Sequence, residues 1–297
     1  MTTTWSPSRL GDLTGTRIIV TGATNGVGLA TARALARAGA HVILAVRNLD
    51  LGAQRAAEIG GDTAVVKLDL ADLATVRAFP DLIDGDVDVL INNAGAIVQN
   101  RRDTVDGFEI TLGTNFLGPF ALTNLMLPRV RSKIITVGSD AHRMTTFDFD
   151  DPHLRRGKWS SFPAYARSKL AVMLWGLELD RRLREAGSPI SSFLTHPGWV
   201  ASNLSNVSDK LVLSAAHAVV RAAANLLAND IDAGAAPTLY CLTEPIPPGS
   251  YVGIDSRLGL KGGPTLSGRS AAACDYGDAR RLWEFAEKET GTSFPVL

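Results

Sequence analysis

The architecture of this chain can be predicted from residues 17–39, RIIVTGATNGVGLATARALARAG. A short β-branched run, Arg17 to Val20, is followed by a glycine turn and then by an Ala-rich segment, Leu29 to Ala38, which ends at Gly39. This order predicts a strand, a tight turn and a helix. Glycines let a pyrophosphate approach the backbone, and the N–H groups of a helix N-terminus attract it. A nucleotide site is therefore predicted, with a plain glycine-rich turn as the alternative, and its candidate residues are Gly22, Thr24, Asn25, Gly26, Val27 and Gly28.

The second strand predicts which nucleotide is bound. The apolar run His41 to Val46 ends at Arg47, where a unit that binds NAD usually carries an acidic residue for the ribose 2′-hydroxyl. A guanidinium can instead pair with a 2′-phosphate through charge-assisted hydrogen bonds. We therefore expect NADP in preference to NAD, and the alternative is a solvent-facing arginine at the end of a strand.

Further short apolar runs, at 64–68, 87–91 and 134–137, end in small or polar residues. Their alternation with helical segments predicts a doubly wound, Rossmann-type α/β fold, in which a parallel sheet lies between two helical layers in one domain spanning residues 1–297. Ligands of such sheets lie beyond the carboxyl ends of the strands. The further candidate cofactor-binding residues are Asp69, Leu70, Asn93, Ala94 and Gly95. Asp69 could instead cap a helix near residues 72–79.

Tyr165-Ala-Arg-Ser-Lys169 is the candidate catalytic motif. In a helix this spacing places the phenol and the ammonium on one face. A neighbouring cation stabilises a phenolate, so Tyr165 is a candidate general acid or base. The alternative is a surface tyrosine beside a solvated lysine.

Two more polar residues are candidates for the same site. Ser139 follows a buried strand, and its hydroxyl can donate to a substrate carbonyl. Asn115 lies in a charge-poor segment, residues 110–128, which is predicted to be a buried helix disturbed by Gly118 and Pro119. A buried asparagine needs hydrogen-bond partners, and caps or satisfied core groups are the alternative roles of both residues.

Composition excludes several classes of protein. The 297 residues are 45% hydrophobic, and 30 basic residues balance 30 acidic ones, which argues against an extended nucleic-acid or polybasic membrane surface. Cys241 and Cys274 are too few for a disulfide framework and are predicted to be packing residues in a reducing compartment. The polar first twelve residues contain no signal-peptide core, so a cytoplasmic location is expected. We expect no metal site, because His142 and His196 have no ligand cluster at a suitable spacing.

The candidates together resemble the short-chain dehydrogenase/reductase family in its single-domain form. The residues that carry the resemblance occur in the family's order: the pattern Thr-Gly-x-x-x-Gly-x-Gly at 21–28, Asn-Asn-Ala-Gly at 92–95, Asn115, Ser139, Tyr165 with Lys169, and His-Pro-Gly at 196–198. The resemblance implies that Tyr165 is the acid/base and that Ser139 orients and polarises the substrate oxygen. It implies that Lys169 holds the nicotinamide ribose and lowers the tyrosine pKa, and that Asn115 anchors a water in a proton relay. It places Pro197, Gly198 and Val200 beside the nicotinamide.

Other features resemble the retinol dehydrogenase and WW-domain oxidoreductase branch. Twenty-five residues separate Ser139 from Tyr165, and the runs at 168–171 and 279–284 are similar to that branch. Two features differ from that branch. Gly138 stands where relatives often carry serine, and the apolar N-terminal anchor of the branch is not expected here. The apolar stretch 207–227 predicts a helical cover over the pocket within 200–230 and a lipophilic alcohol, aldehyde or ketone as substrate, with core packing or membrane contact as alternatives.

Other functions are compatible with the same fold. A non-catalytic nucleotide-binding sensor would not need the four candidate catalytic residues, and neither would an interaction module. An epimerase or dehydratase with tightly bound NAD would usually carry another glycine spacing and an acidic residue in place of Arg47. The resemblance also implies a homodimer formed through the helices that carry Asn115 and Tyr165, with the extended segment before Tyr165 as an obstacle to it.

Overall fold

The computed structural model describes residues 5–198, 231–255 and 262–296. Its strands form one sheet in the order β3-β2-β1-β4-β5-β6-β7-β8. All neighbouring pairs are parallel except β7 and β8, which are antiparallel. The strands are β1 Arg17–Thr21, β2 His41–Val46, β3 Thr63–Lys67, β4 Val87–Asn92, β5 Val130–Val137, β6 Ser191–Thr195, β7 Tyr251–Ile254 and β8 Pro264–Leu266.

Helices cover both faces of the sheet, which confirms the predicted doubly wound α/β fold. One core contains residues of α1 and α7, and the other contains residues of α3, α5, α6 and α8. The helices are α1 Gly26–Arg37, α2 Leu49–Ile59, α3 Leu73–Ala78, α4 Ile110–Leu112, α5 Gly118–Met126, α6 Ser161–Glu185, α7 Ile231–Thr243 and α8 Tyr276–Thr290. A single π-helical turn, Gly113–Leu117, joins α4 to α5.

The central strand β1 shows why the apolar run at 17–20 is continuous. Ile18, Ile19 and Val20 are all fully buried, because helices cover both faces of a parallel sheet. Ile19 packs in the core beneath α5 and α6, whereas Ile18 and Val20 pack in the core beneath α1. Successive side chains of a strand point to opposite faces, so both cores need an apolar residue from β1.

Helix α1 begins at Gly26, three residues before the predicted start at Leu29. The glycine turn therefore includes the first turn of the helix. Asn25 occupies the N-cap position, and its side chain makes no capping hydrogen bond. The first N–H groups of α1 thus remain available to a ligand, as at helix termini that bind phosphate.

The last helix, α8, covers the outer faces of α5 and α6. Trp283 is fully buried and meets Phe120 edge to face, with 4.8 Å between the ring centroids. The Arg182 guanidinium lies 4.5 Å from the Trp283 ring centroid. The chain's own α8 therefore packs on the helices that the resemblance implied for a homodimer, and Phe147 of the segment before Tyr165 packs against Phe285 of α8.

Some sequence predictions concern residues beyond the described part of the chain. The helical cover at 200–230 and the contact by Val200 both lie outside the described residues. None of the helices in the described ranges is long and apolar enough to cross a membrane. Strands β7 and β8 were not predicted, since they have only four and three residues and show no alternating pattern.

Candidate active site

The glycine turn packs directly against the loop that follows β4. Gly22 has a φ of +67°, and a Cβ there would lie 2.9 Å from the Ala94 Cα. A Cβ on Gly28 would lie 2.3 Å from Asn93 Nδ2. Thr21 Oγ1 accepts hydrogen bonds of 3.0 Å from the N–H groups of Asn93 and Ala94. Side chains at the two glycines would force these loops apart, which explains the glycines without reference to a ligand.

A cleft of about 390 Å³ runs along the carboxyl ends of the parallel strands. The glycine turn and Arg47 lie at one end, which we call the turn end, and Tyr165 and Lys169 lie at the other, which we call the tyrosine end. The predicted residues that line the cleft are Gly22, Thr24, Asn25, Gly26, Val27, Gly28, Arg47, Asp69, Leu70, Asn93, Ala94, Gly95, Tyr165, Lys169 and Pro197. Ser139, Asn115 and Gly198 are not among the residues that line the cleft, but each is bonded or hydrogen-bonded to a residue that is: Gly138, Ala96 and Pro197 respectively.

Two cations lie at the turn end. Arg47 follows β2 directly and its side chain is exposed. Lys67, which ends β3, is adjacent to Val46 in the sheet register, and its Nζ donates a hydrogen bond of 2.7 Å to the Arg47 carbonyl oxygen. Lys67 was not predicted as a site residue, although its position at the end of the strand next to β2 is a signal that could have identified it.

Asp69 is half-buried after β3 and does not cap α3. Its Oδ1 accepts a hydrogen bond of 3.0 Å from the Ala71 N–H. Asp72 is the N-cap of α3 and accepts from the Ala74 N–H at 2.9 Å. The alternative role of Asp69 as the cap of the following helix was therefore wrong, and Asp69 remains at the cleft.

Helix α6 brings the tyrosine and the lysine to the tyrosine end of the cleft. Lys169 Nζ lies 5.8 Å from the centroid of the Tyr165 ring and donates a hydrogen bond of 2.7 Å to the Val137 carbonyl oxygen. The phenol of Tyr165 is hydrogen-bonded to the Ser139 side chain. Val137 of β5, Ser139 of the following loop and the α6 pair of Tyr165 and Lys169 thus lie together at the tyrosine end.

Burial determines the titration of this pair. Burial raises the pKa of Tyr165 above its ordinary value, and the hydrogen bond with Ser139 lowers that pKa by less. Burial also lowers the pKa of Lys169 to about 8. Low dielectric disfavours the charged form of both groups. In the described structure the cost of burying the phenolate dominates the pKa of Tyr165, and the lowering of that pKa by Lys169 stays a prediction.

Asn115 joins the loop after β4 to α6. It is 2% exposed, and its side chain binds Ala96 twice, accepting from the N–H at 2.8 Å and donating to the carbonyl oxygen at 3.0 Å. Its Nδ2 also donates to Ser168 Oγ at 3.0 Å, and Ser168 Oγ donates to the Tyr165 carbonyl oxygen at 2.8 Å. The predicted need for partners is confirmed, and Ser168 is a supporting residue that sequence reasoning missed.

The predicted disturbance of this helix is a π-helical turn directly before Gly118 and Pro119. Asn115 itself is in the π-helical turn 113–117, whereas Gly118 and Pro119 begin the regular helix α5. Leu117 and Gly118 keep helical dihedrals, so the π-helical turn continues directly into α5, and Pro119 removes a backbone donor and crowds the turn that precedes it. π-helical turns are frequent at functional sites, and this one directs Asn115 at the loop after β4.

Two buried histidines hold the loops behind Ser139. His142 Nε2 accepts from the Ser270 N–H at 3.2 Å, so its Nδ1 carries the proton and donates to the Ser139 carbonyl oxygen at 2.6 Å. His196 Nδ1 accepts from the Gly198 N–H at 3.2 Å. Among the described residues, no group of three or more His, Cys, Asp and Glu side chains could hold a metal ion.

Gly138, the departure from the family pattern, is explained by packing. A Cβ there would lie 3.0 Å from Met173 Sδ and 3.3 Å from the Thr195 carbonyl oxygen. The Gly138 N–H donates a hydrogen bond of 2.6 Å to that same oxygen. A serine at this position would therefore crowd α6, so the departure reflects the fit of β5 against its neighbours.

The cleft has the chemistry that a nicotinamide dinucleotide requires. The turn has no Cβ where a pyrophosphate would lie, and α1 presents free N–H groups there. Arg47 supplies a cation beside the end of β2. At the other end Tyr165 and Ser139 supply a phenol and a hydroxyl. The residues present thus fit the cofactor class that the sequence predicted.

Comparisons with known proteins agree with this geometry. Residues 16–211 match the family model described as short chain dehydrogenase. Mouse polyprenol dehydrogenase (Mus musculus) is 43% identical over 202 residues, which cover 63% of this chain and 60% of that protein. Human retinol dehydrogenase 13 (Homo sapiens) is 40% identical over 202 residues, covering 64% of this chain and 60% of that protein. The chain thus matches 60% of the length of each of these two relatives.

Solved structures share the fold. An uncharacterised protein from Mycobacterium Paratuberculosis is 41% identical, with a TM-score of 0.85 over 99% of this chain and 100% of that chain. A short chain dehydrogenase from Burkholderia cenocepacia J2315, solved in complex with NADP, is 25% identical, with a TM-score of 0.60 over 78% of this chain and 92% of that chain.

Proposed function

This chain belongs to the short-chain dehydrogenase family, and from that premise we propose that it is an NAD(P)-dependent oxidoreductase that interconverts an alcohol and an aldehyde or ketone. The observation that carries the proposal is the meeting of Tyr165, Ser139 and Lys169 at one end of a cleft whose other end is the glycine turn. A sensor or an interaction module would not need a buried lysine beside a phenol.

We assign the proton transfer to Tyr165. When bound, the nicotinamide supplies a hydride to the carbonyl carbon or accepts one from the alcohol carbon. In the reductive direction the Tyr165 phenol gives its proton to the substrate oxygen, and in the oxidative direction it takes that proton back. Burial raises the pKa of Tyr165, which keeps the phenol protonated and suits it to the role of acid.

The other residues of the tyrosine end orient and assist this transfer. Ser139, hydrogen-bonded to the phenol, is placed to donate to the same substrate oxygen. Lys169 is assigned to the nicotinamide ribose. Asn115 holds the loop at Ala96 and the helix at Ser168, so we assign it to the proton relay as the residue that fixes the water position.

NADP is the proposed cofactor because of the cations at the turn end. Arg47 lies where a 2′-phosphate would need a partner, and Lys67 brings a second cation next to the Arg47 backbone. NAD offers no group for these charges. An epimerase or dehydratase reading would require an acidic residue at this position, and the exposed side chain there is Arg47.

A lipophilic substrate is proposed from two observations. The two relatives compared above are named for polyprenol and retinol, both lipophilic alcohols. The stretch 207–227 of this chain is apolar.

We also propose that any homodimer uses a surface other than α5 and α6, since α8 covers those helices. The cytoplasmic location stays a prediction.

The first test is a fluorescence titration of the purified chain with NADPH and with NADH, followed by a screen of lipophilic aldehydes and ketones with the cofactor that binds more tightly. We expect tighter binding of NADPH and turnover of at least one carbonyl. Preference for NADH would remove NADP from the proposal. Failure to bind either nucleotide would overturn the oxidoreductase assignment and favour a protein that uses the fold without turnover.

A further inference from the structure

Three strand ends meet directly behind Ser139. Asp140 follows Ser139 after β5, His196 follows β6, and Tyr251 begins β7. The Asp140 carboxylate accepts from the Tyr251 hydroxyl at 3.2 Å and from Arg143 Nε at 3.1 Å. Its other oxygen lies 3.4 Å from His196 Nε2. One carboxylate thus joins three neighbouring strands at the carboxyl edge of the sheet.

The His196 ring has a defined tautomer and little freedom to move. Its Nδ1 accepts from the Gly198 N–H, so the ring proton is on Nε2 and points at Asp140. The side chain is 5% exposed, and a Cβ on Gly253 would lie 2.0 Å from Nε2. The ring also packs 5.3 Å from the Tyr251 ring, centroid to centroid. Its position therefore depends on the hydrogen bond from Gly198, on the contact with Asp140 and on close packing.

These contacts connect two sides of the tyrosine end. Asp140 is covalently next to Ser139, which is hydrogen-bonded to Tyr165. Gly198 is covalently next to Pro197, which lines the same end of the cleft. A hydride and a proton that reach neighbouring atoms of one substrate must be aligned, and a displacement of about 1 Å can cost about a hundredfold in rate. The loop with Ser139 and the turn with Pro197 must therefore keep a fixed separation.

We propose that Asp140 and His196 are positioning residues, which hold the Pro197–Gly198 turn in register with Ser139 through the path Asp140, His196, Gly198. The inference rests on the proposed function, because it assumes that the nicotinamide occupies the tyrosine end. Asp140 and His196 act through Ser139 and Pro197, and neither exchanges a proton with the substrate.

The path requires a neutral imidazole. Protonation of Nδ1 would place two N–H groups against each other at Gly198 and break that link. Among the residues that the structure describes, the charged and titratable groups that face the ring are Asp140, Arg143, His142 and Tyr251. Burial lowers the pKa of His196, Asp140 raises it, and Arg143 and His142 lower it further. Because the pKa of His196 is lowered, the link is favoured at neutral pH and is lost as the pH falls.

The experiment compares binding of NADPH with binding of 2′,5′-ADP, which has the phosphate-bearing half of the cofactor and no nicotinamide. In Asp140→Asn we expect the Kd for NADPH to rise about threefold to tenfold and the Kd for 2′,5′-ADP to change less than about twofold, because only the tyrosine end is disturbed. With a substrate from the carbonyl screen, kcat should fall about tenfold or more. Asp148→Asn, an exposed aspartate in the same connection, is the matched control.

Two histidine variants separate positioning from simple structural support. His196→Asn retains an acceptor near the Nδ1 position but cannot reach Asp140, and it does not titrate. His196→Gln extends toward Asp140 but loses the acceptor for Gly198. Both should weaken NADPH binding relative to 2′,5′-ADP. The loss of NADPH affinity in acid that we expect of the wild type should be absent in His196→Asn.

Each outcome decides the inference. Unchanged NADPH affinity in Asp140→Asn and in both histidine variants would overturn the positioning role while leaving the proposed function intact. An acid limb that persists in His196→Asn would also overturn it. A wild-type chain that binds neither NADPH nor 2′,5′-ADP would overturn the proposed function and this inference together. If Asp140→Asn loses 2′,5′-ADP binding as well, the substitution disturbs the whole cleft, and this contradicts a role confined to the tyrosine end.

Discussion

The two ends of the cleft are built in different ways. The turn end is made mainly of backbone from one contiguous stretch, 21–28, where glycines and the start of α1 provide the surface. The tyrosine end is made of side chains from distant parts of the chain, and these are buried among one another. Backbone N–H groups can bind a phosphate without gaining or losing a proton themselves. Proton transfer, in contrast, needs side chains whose pKa values the environment can shift.

This difference predicts which amino-acid substitutions each end tolerates. At the turn end, side chains can be exchanged without loss of the phosphate-binding surface if the glycines remain, because that surface is backbone. At the tyrosine end each polar group is a hydrogen-bond partner of another, so one change affects several groups. Variants at the tyrosine end should therefore affect the rate, and variants at the turn end should affect the choice of cofactor.

The largest expected effect is that of Tyr165→Phe. Removal of the phenolic hydroxyl should lower kcat by about 10²–10⁴-fold, the usual contribution of general acid–base catalysis. NADPH binding should stay largely intact, since the ring remains. Steady-state kinetics and a fluorescence titration on the same preparation test both statements.

Tyr276→Phe is the matched control for that variant. Tyr276 is exposed at the start of α8 and does not line the cleft, so its kcat should equal that of the wild type. Undiminished activity in Tyr165→Phe would overturn the acid/base assignment, and a parallel loss of NADPH binding would show that the two ends are not separable.

A smaller effect is expected from Arg47→Asp at the turn end. Loss of a charge-assisted hydrogen bond to the 2′-phosphate, worth about 1.5–3 kcal/mol, should shift the ratio of NADPH to NADH affinity toward NADH by about tenfold to a hundredfold. kcat with saturating cofactor should change little. Arg280→Asp, an exposed site on α8, makes the same change in net charge away from the cleft. A ratio equal to that of this control would remove Arg47 from cofactor selection.

The smallest effect is a difference in the pH dependence of stability. Burial lowers the pKa of Lys169 to about 8 from its ordinary 10.5, so between these values the unfolded chain binds more protons at this residue than the folded one. The contribution of Lys169 to the free energy of unfolding therefore rises with pH in that window, by up to about 1.4 kcal/mol per unit. Lys169→Met should lack this rise.

Urea denaturation of the wild type and of Lys169→Met at several pH values between about 7.5 and 10.5 measures the difference. Subtraction removes the contributions of other groups that titrate in the same range. Lys288→Met, at an exposed position of α8, serves as the control. A wild-type curve parallel to that of Lys169→Met would show that Lys169 titrates in the folded protein as it does in the unfolded chain.

Several features of the site were predictable because their causes are local. The glycine spacing in 21–28 specifies a turn through backbone sterics, and the run at 17–20 specifies a buried strand through its apolar continuity. The pairing of Tyr165 with Lys169 follows from helical periodicity alone. Arg47 could be placed at the cleft because the carboxyl ends of parallel strands meet at one edge.

Other features were not predictable because they depend on contacts between distant residues. Asn115 is hydrogen-bonded to Ala96 and Ser168, and neither partner is identifiable from local pattern. The alternative role of Asp69 as the cap of α3 was wrong because the helix begins after Asp72, and the exact start of a short helix is not marked by local pattern. Strands β7 and β8 are too short to produce a periodic signal.

The sequence by itself thus determined the fold class, the turn end and the identity of the side chains at the tyrosine end, because sterics and periodicity act over a few residues. Only the tertiary structure decided how those side chains are charged and held. The depth at which Tyr165 and Lys169 are buried, and the path from Asp140 through His196 to Gly198, arise from the packing of β5, β6, β7 and α6. Desolvation and hydrogen bonding depend on every neighbour in space, and most of those neighbours are remote in the chain.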